Sequence, residues 1–188
     1  MNILSILSKR AQSGLQGTPI TVLLSEGLLN HSEHLTAGDK VKLSIIKESY
    51  KDYALETISK DKPCITSTRA AGELFLKLLT NETQEKVMVA LLNTKNEVIA
   101  VDTIFTGTLN ASLFHPREIF SFALKHPTAR ILIAHNHPSG DTEPSRADID
   151  STIKLIAAGE TLGIEVLDHI IVGNGYRSLR ETSYAFDN

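Results

Sequence analysis

The sequence predicts an α/β (α+β) fold in which helices cover a sheet, preceded by a helical N-terminal extension. Apolar, β-prone runs at 87–92, 98–104, 131–134 and 164–172 alternate with helical patterns after Pro116 and from Ser145 to Leu162, in the order β, β, α, β, α, β. The texture changes near Thr66, where hydroxyl residues precede a regular apolar stripe. With 188 residues and 41% hydrophobic content, the chain can build one main core plus an appendage, but not two large domains.

Residues 1–61 form the extension. Ile3, Leu4, Ile6 and Leu7, then Ile20, Val22, Leu23 and Leu24, make short clusters, neither of which reads as an independent core. A helix is expected from about Gly38 into the fifties, with an irregular stripe of Val41, Ile45, Ile46, Tyr53 and Leu55.

The main domain is expected over 62–188. Thr66, Ser67 and Thr68 offer N-cap hydroxyls ahead of Ala71, Leu74, Phe75 and Leu78 on one helical face. The polar stretch 93–97 suits a hairpin between the first two strands. Pro116 fits a first helical position, where its missing N–H costs nothing, and Pro127 ends that helix. Gly163 closes the next helix, and 164–172 is the last strand.

Composition narrows the chemistry. No stretch approaches the roughly 20 apolar residues of a membrane span, and the N-terminus lacks a cleavable export pattern, so a cytoplasmic protein is expected. Cys64 is the only cysteine, which rules out an internal disulfide and a thiolate-rich zinc site; it reads as a small packing residue. A net charge of −3 argues against a broad phosphate-binding surface, although a local basic patch could contact DNA.

The segment from His135 to Asp148, HNHPSGDTEPSRAD, follows directly on an apolar strand. Residues two apart on a strand share a face, so His135 and His137 can reach one cation while Asn136 points away. Pro138 and Gly140 stop the strand, and Ser145 opens a helix whose first turn carries Asp148 back towards the histidines. Two imidazoles and one carboxylate make a three-ligand zinc set that leaves a fourth position for water, as catalytic sites do. Ser145 and Asp148 also fit a capping pattern and, taken alone, would be read as caps. Asp141 and Glu143 read as solvated loop charges, His31 and His34 as surface residues, and His115 as a helix cap. Asp168 and His169 read as a hydrogen-bonded pair that could back the site. The tract 106–110 is a weak candidate for a groove edge.

This segment resembles the JAB/MPN metalloproteases, whose motif pairs an upstream Glu with His-x-His-Pro and Ser-x-x-Asp. It is most similar to the RadC-like branch, through 92–96, 106–110, 115–118, 135–140 and 168–169. The resemblance covers about Pro63 to Glu181. It implies a three-layer fold with a central mixed sheet flanked by helices. By position, His135, His137 and Asp148 match the zinc ligands, Ser145 the hydroxyl beside the site, and Glu85 the general acid/base; Glu118 and Glu143 are the competitors for that last role. The implied reaction is amide hydrolysis by a zinc-activated water on a peptide or protein substrate. Residues 1–61 show no helix-hairpin-helix signature of the kind longer RadC-like members carry. A non-catalytic metal-stabilised module and a DNA-associated accessory protein are the rival expectations.

Overall fold

The computed structural model describes residues 3–18, 32–80 (the Ser59 side chain apart), 82–107 and 115–187. The cluster Ile20, Val22, Leu23 and Leu24, together with His31 and residues 108–110, lies outside these. The chain divides into two compact units, Met1–Ala54 and Leu55–Asn188.

In the first unit a 3-10 turn at Ile3–Ile6 leads into helix α1 (Lys9–Gly14), and helix α2 (Ala37–Asp61) begins within this unit. Leu7, Ala11, Leu15, Leu35 and Leu43 form a small apolar cluster, so this part has a modest core that its short sequence clusters did not suggest. Buried Asp39 stitches it together: its carboxylate accepts from Ser8 N and Oγ at 2.8 and 2.6 Å and from Thr36 Oγ1 at 2.7 Å. Burial alone would raise the Asp39 pKa, but these bonds outweigh it and hold the carboxyl far below its ordinary range.

The second unit begins with helix α3 (Thr68–Leu79), capped by Ser67, whose side chain accepts from Ala70 N. Strands β1 (Lys86–Leu92) and β2 (Val98–Thr106) follow, then helix α4 (Pro116–Ala123), strand β3 (Arg130–Asn136), helix α5 (Arg146–Leu162), strand β4 (Glu165–Val172), strand β5 (Tyr176–Ser178) and helix α6 (Leu179–Thr182). The strand order is β2-β1-β3-β4-β5, with β3 and β4 parallel and every other neighbouring pair antiparallel. It is therefore a mixed five-stranded sheet flanked by helices, the architecture the sequence led us to expect.

Side-chain alternation explains the layering. Val87, Val89 and Leu91 of β1 and Ile131 and Ile133 of β3 share a core with Ile119, Phe120 and Ala123 of α4 and Leu155 of α5. Met88, Ala90, Leu92, Leu132 and Ala134 are equally buried and point the other way, where α3 packs on β3, β4 and β5. Both faces of the central strands are covered, which is why β1 and β3 read as continuous apolar runs rather than alternating ones.

Cys64 departs from expectation. It is exposed, with Sγ 3.2 Å from Lys95 O, because the extended segment that bridges Glu97 alternates and turns Ile65 inward instead. Strand β5 and helix α6, absent from the sequence reading, are three and four residues long. Among the described residues no helix is long and apolar enough to cross a membrane.

Candidate metal centre

The centre is built where β3 ends and α5 starts. His135 is the penultimate residue of β3, and His137 continues past its end with its N–H on Val172 O at 2.8 Å. The two imidazoles project to the face that α5 covers, while Asn136 turns to the other face. There Asn136 accepts from Lys86 N at 2.8 Å and donates to Gln84 O and Glu82 O at 3.1 and 3.3 Å, gripping the backbone on both sides of Glu85.

The loop from Pro138 to Pro144 reverses the chain, with Gly140 at φ 83°, a conformation that favours glycine. Gly140 O accepts from Asn174 N at 2.8 Å, and Glu143 pairs with Arg177 at 2.8 Å, so the β4–β5 turn and β5 hold the loop. Ser145 then caps α5: its Oγ accepts from Asp148 N at 3.2 Å and donates to Asp148 Oδ2 at 2.6 Å, and its own N–H reaches Oδ2 at 2.8 Å. This is a capping box, and the same carboxylate faces the histidines.

His135, His137 and Asp148 converge, each offering one ligand atom with all three within 4.8 Å of one another. His135 Nε2 lies 2.9 Å from His137 Nε2 and 3.3 Å from Asp148 Oδ1, and His137 Nε2 lies 3.7 Å from Asp148 Oδ2. Ligand atoms about 2.0–2.1 Å from a tetrahedral ion sit about 3.3 Å apart, so this spacing fits a small cation.

Proton placement points the same way. His137 Nδ1 lies 2.9 Å from Asp141 O, and a carbonyl only accepts, so Nδ1 holds the proton and a neutral ring presents a lone pair at Nε2. Two imidazoles facing each other through Nε2 beside a carboxylate form a donor set suited to a metal ion. His135, fully buried, is pushed down to about 4, chiefly by burial. His137 is raised above its ordinary value, first by its hydrogen bond to Asp148 and against burial. Burial would raise Asp148, but the bond from His137, the charge on His135 and the Ser145 bonds prevail and hold it well below the carboxylate range.

Glu85 is half-buried just before β1. Val87 pairs with His135, and Glu85 stands two residues before Val87, near enough to His137 for its charge to contribute to the rise in the His137 pKa. Glu118 is exposed on α4 and paired with Arg117, and Glu143 is exposed and paired with Arg177. Asp141 and His34 are exposed, and His115 caps α4 by accepting from Arg117 N at 3.1 Å.

His169 proves to be joined directly to the cluster. Its Nε2 lies 2.8 Å from His135 Nδ1, and its Nδ1 lies 2.6 Å from Thr152 Oγ1, a contact with no counterpart in the sequence reading. Asp168 and His169 are hydrogen-bonded as expected, through His169 N on Asp168 Oδ1 at 2.7 Å, and the Asp168 carboxylate otherwise faces away, accepting from Ser178 Oγ at 2.6 Å and Arg180 N at 3.1 Å.

The model of the RadC-like JAB domain matches residues 65–184. A UPF0758 protein of Staphylococcus haemolyticus is 39% identical over 197 residues, covering 97% of this chain and 86% of that protein. UPF0758 proteins of Clostridium kluyveri and Rubrobacter xylanophilus are 46% and 49% identical over 135 and 120 residues, 71% and 64% of this chain. The aligned part spans about half of those two relatives, 56% and 53% of their length. The chain belongs to the RadC-like JAB domain family.

Proposed function

We propose that the chain is a zinc-dependent hydrolase, a metallopeptidase or isopeptidase that cleaves amide bonds. The observation that carries this reading is the meeting of His135 Nε2, His137 Nε2 and the Asp148 carboxylate at tetrahedral spacing. Three such ligands leave one position open, the arrangement that separates catalytic from structural zinc. Zinc held there would supply Lewis acidity, polarising a carbonyl and bringing the pKa of water to about 7.

The chain's own groups then do the proton work. Glu85, whose charge is felt at His137, accepts the proton of the attacking water and returns it to the leaving nitrogen, because an amine leaves far more readily than its anion. Ser145 is exposed beside Asp148; by turning its O–H from Oδ2 to the substrate it stabilises the developing oxyanion. A cation at His137 Nε2 would take the place of the proton that Asp148 attracts there.

The test begins with metal analysis of untagged protein, where about one zinc per chain is expected and His135→Ala or Asp148→Ala abolishes it. A peptide library should then be cut in a chelator-sensitive way, and Glu85→Gln should keep the metal while slowing cleavage roughly 10²–10⁴-fold. The second reading, a non-catalytic metal-stabilised module, draws on the double role of Asp148, since an ion there also ties β3 to α5. Zinc binding without cleavage, with chelation unfolding the protein, would select that reading.

A further inference from the structure

Behind His135 runs a buried chain of contacts whose direction can be worked out atom by atom. Thr152 Oγ1 lies 2.7 Å from Asp148 O, and a carbonyl only accepts, so the hydroxyl proton points there. The hydroxyl oxygen, 2.6 Å from His169 Nδ1, must then accept, which places the His169 proton on Nδ1 and a lone pair on Nε2. That lone pair, 2.8 Å from His135 Nδ1, accepts in turn, so His135 carries its proton on Nδ1 and turns its Nε2 lone pair to the space it shares with Asp148 and His137. His135, Thr152 and His169 are all 0% exposed, so water cannot substitute for any member.

We infer that Thr152 and His169 are positioning residues that fix the ring orientation and tautomer of His135 and lock it to the helix turn carrying Asp148. The path starts at the Asp148 backbone, crosses α5, β4 and β3, and returns to the Asp148 side chain 3.3 Å from His135 Nε2. Ligands from a strand and a helix are thereby held as one closed ring. The opposite polarity would set two lone-pair oxygens, Thr152 Oγ1 and Asp148 O, against each other at 2.7 Å and put a proton on His135 Nε2, inside the ligand set. Hydrogen bonding of this kind on the far nitrogen of a ligating imidazole sets its basicity and aim.

A β-bulge makes the arrangement possible. Ile131 pairs with Val166 and Leu132 with Asp168, leaving Leu167 as an extra residue. Val166 lies in the core under α4 and α5; without the bulge the same face would next receive Asp168, and with it the face receives His169. Asp168 is left to bind Ser178 and Arg180 instead.

This inference rests on the metal reading above, and two measurements separate their fates. In the first, zinc(II) affinity of the full chain is measured by competition with a chromogenic chelator. Thr152→Val, which keeps the shape and removes the hydroxyl, should weaken binding roughly 10–100-fold, while Thr152→Ser, which restores it, should bind within about threefold of the parent. In the second, long-range ¹⁵N–¹H spectra of the zinc-free parent read the imidazole tautomers directly, with Nδ1–H expected for His135 and His169. Equal zinc affinity in Thr152→Val, or an Nε2–H tautomer at His135, overturns the inference. A parent protein that binds no zinc overturns the hydrolase reading, and the tautomer spectra still judge the buried chain on their own.

Discussion

Asp148 closes the N-terminal cap of α5 through Oδ2 while its Oδ1 stands 3.3 Å from His135, so capping and ligand geometry coexist in one side chain. The two readings of Ser-x-x-Asp that the sequence left in competition are therefore compatible. Ser145→Ala should cost about 1 kcal/mol of stability by removing the cap and should also weaken zinc binding, because the carboxylate loses the donor that orients it; urea titrations with and without zinc measure both. Solution pH supplies a second check. An imidazole must be neutral to bind metal, so apparent zinc affinity should fall as pH drops through the raised His137 value, and an affinity constant between about pH 5 and 8 would contradict the assignment. For the metal-free protein, the depressed His135 pKa means the unfolded chain binds the extra proton between 6.5 and about 4, so stability declines as pH falls through that window. The raised His137 contributes in the opposite sense: its stabilisation is present below 6.5 and is lost as pH rises through its folded-state value. Urea unfolding of the chelated protein should therefore be hardest near pH 6.5. At this scale the convergence of His135 and His137 was legible because the two-residue strand period brings them to one face. Thr152 was not legible, since a buried threonine in a helix usually does no more than bond its own i−4 carbonyl.

The strand-to-helix junction works because neighbouring elements brace it. The turn at Gly173 lies against the Gly140 loop so closely that a Cβ on Gly173 would come within 2.3 Å of Gly140 O. Gly173→Ala should thus displace the 138–144 loop, weakening zinc binding and increasing protease cleavage within that loop while leaving the β1–β3 core intact; unchanged affinity and cleavage would show that the turn does not brace the centre. The order of the main elements was readable from apolar runs, from Pro116 and from Gly163, which adopts φ 69° at the end of α5. The face of His169 was not. Period-two alternation from Val166 points Asp168 inward, and only the unpaired Leu167 reverses this, a feature set by pairing with β3 rather than by local sequence. Cys64 was misplaced for a related reason, because which of Cys64 and Ile65 faced inward depended on the bridge to Glu97.

Over the whole molecule, every residue assigned to the metal centre lies in the Leu55–Asn188 unit, and the family match at 65–184 falls within it. The sequence set the boundary at 61/62, whereas the compact units divide at 54/55, inside the continuous helix α2. We expect a polypeptide starting at Leu55 to bind zinc as the full chain does and to unfold cooperatively; loss of binding would assign residues 1–54 a part in forming the centre. All of these expectations depend on one cation being shared by His135, His137 and Asp148. Anomalous diffraction at the zinc edge from crystals of the native protein tests that most directly. A single strong peak is expected about 2.0–2.2 Å from His135 Nε2, His137 Nε2 and an Asp148 carboxylate oxygen. A zinc-replete crystal with no peak there, or with the peak on other residues, would contradict it.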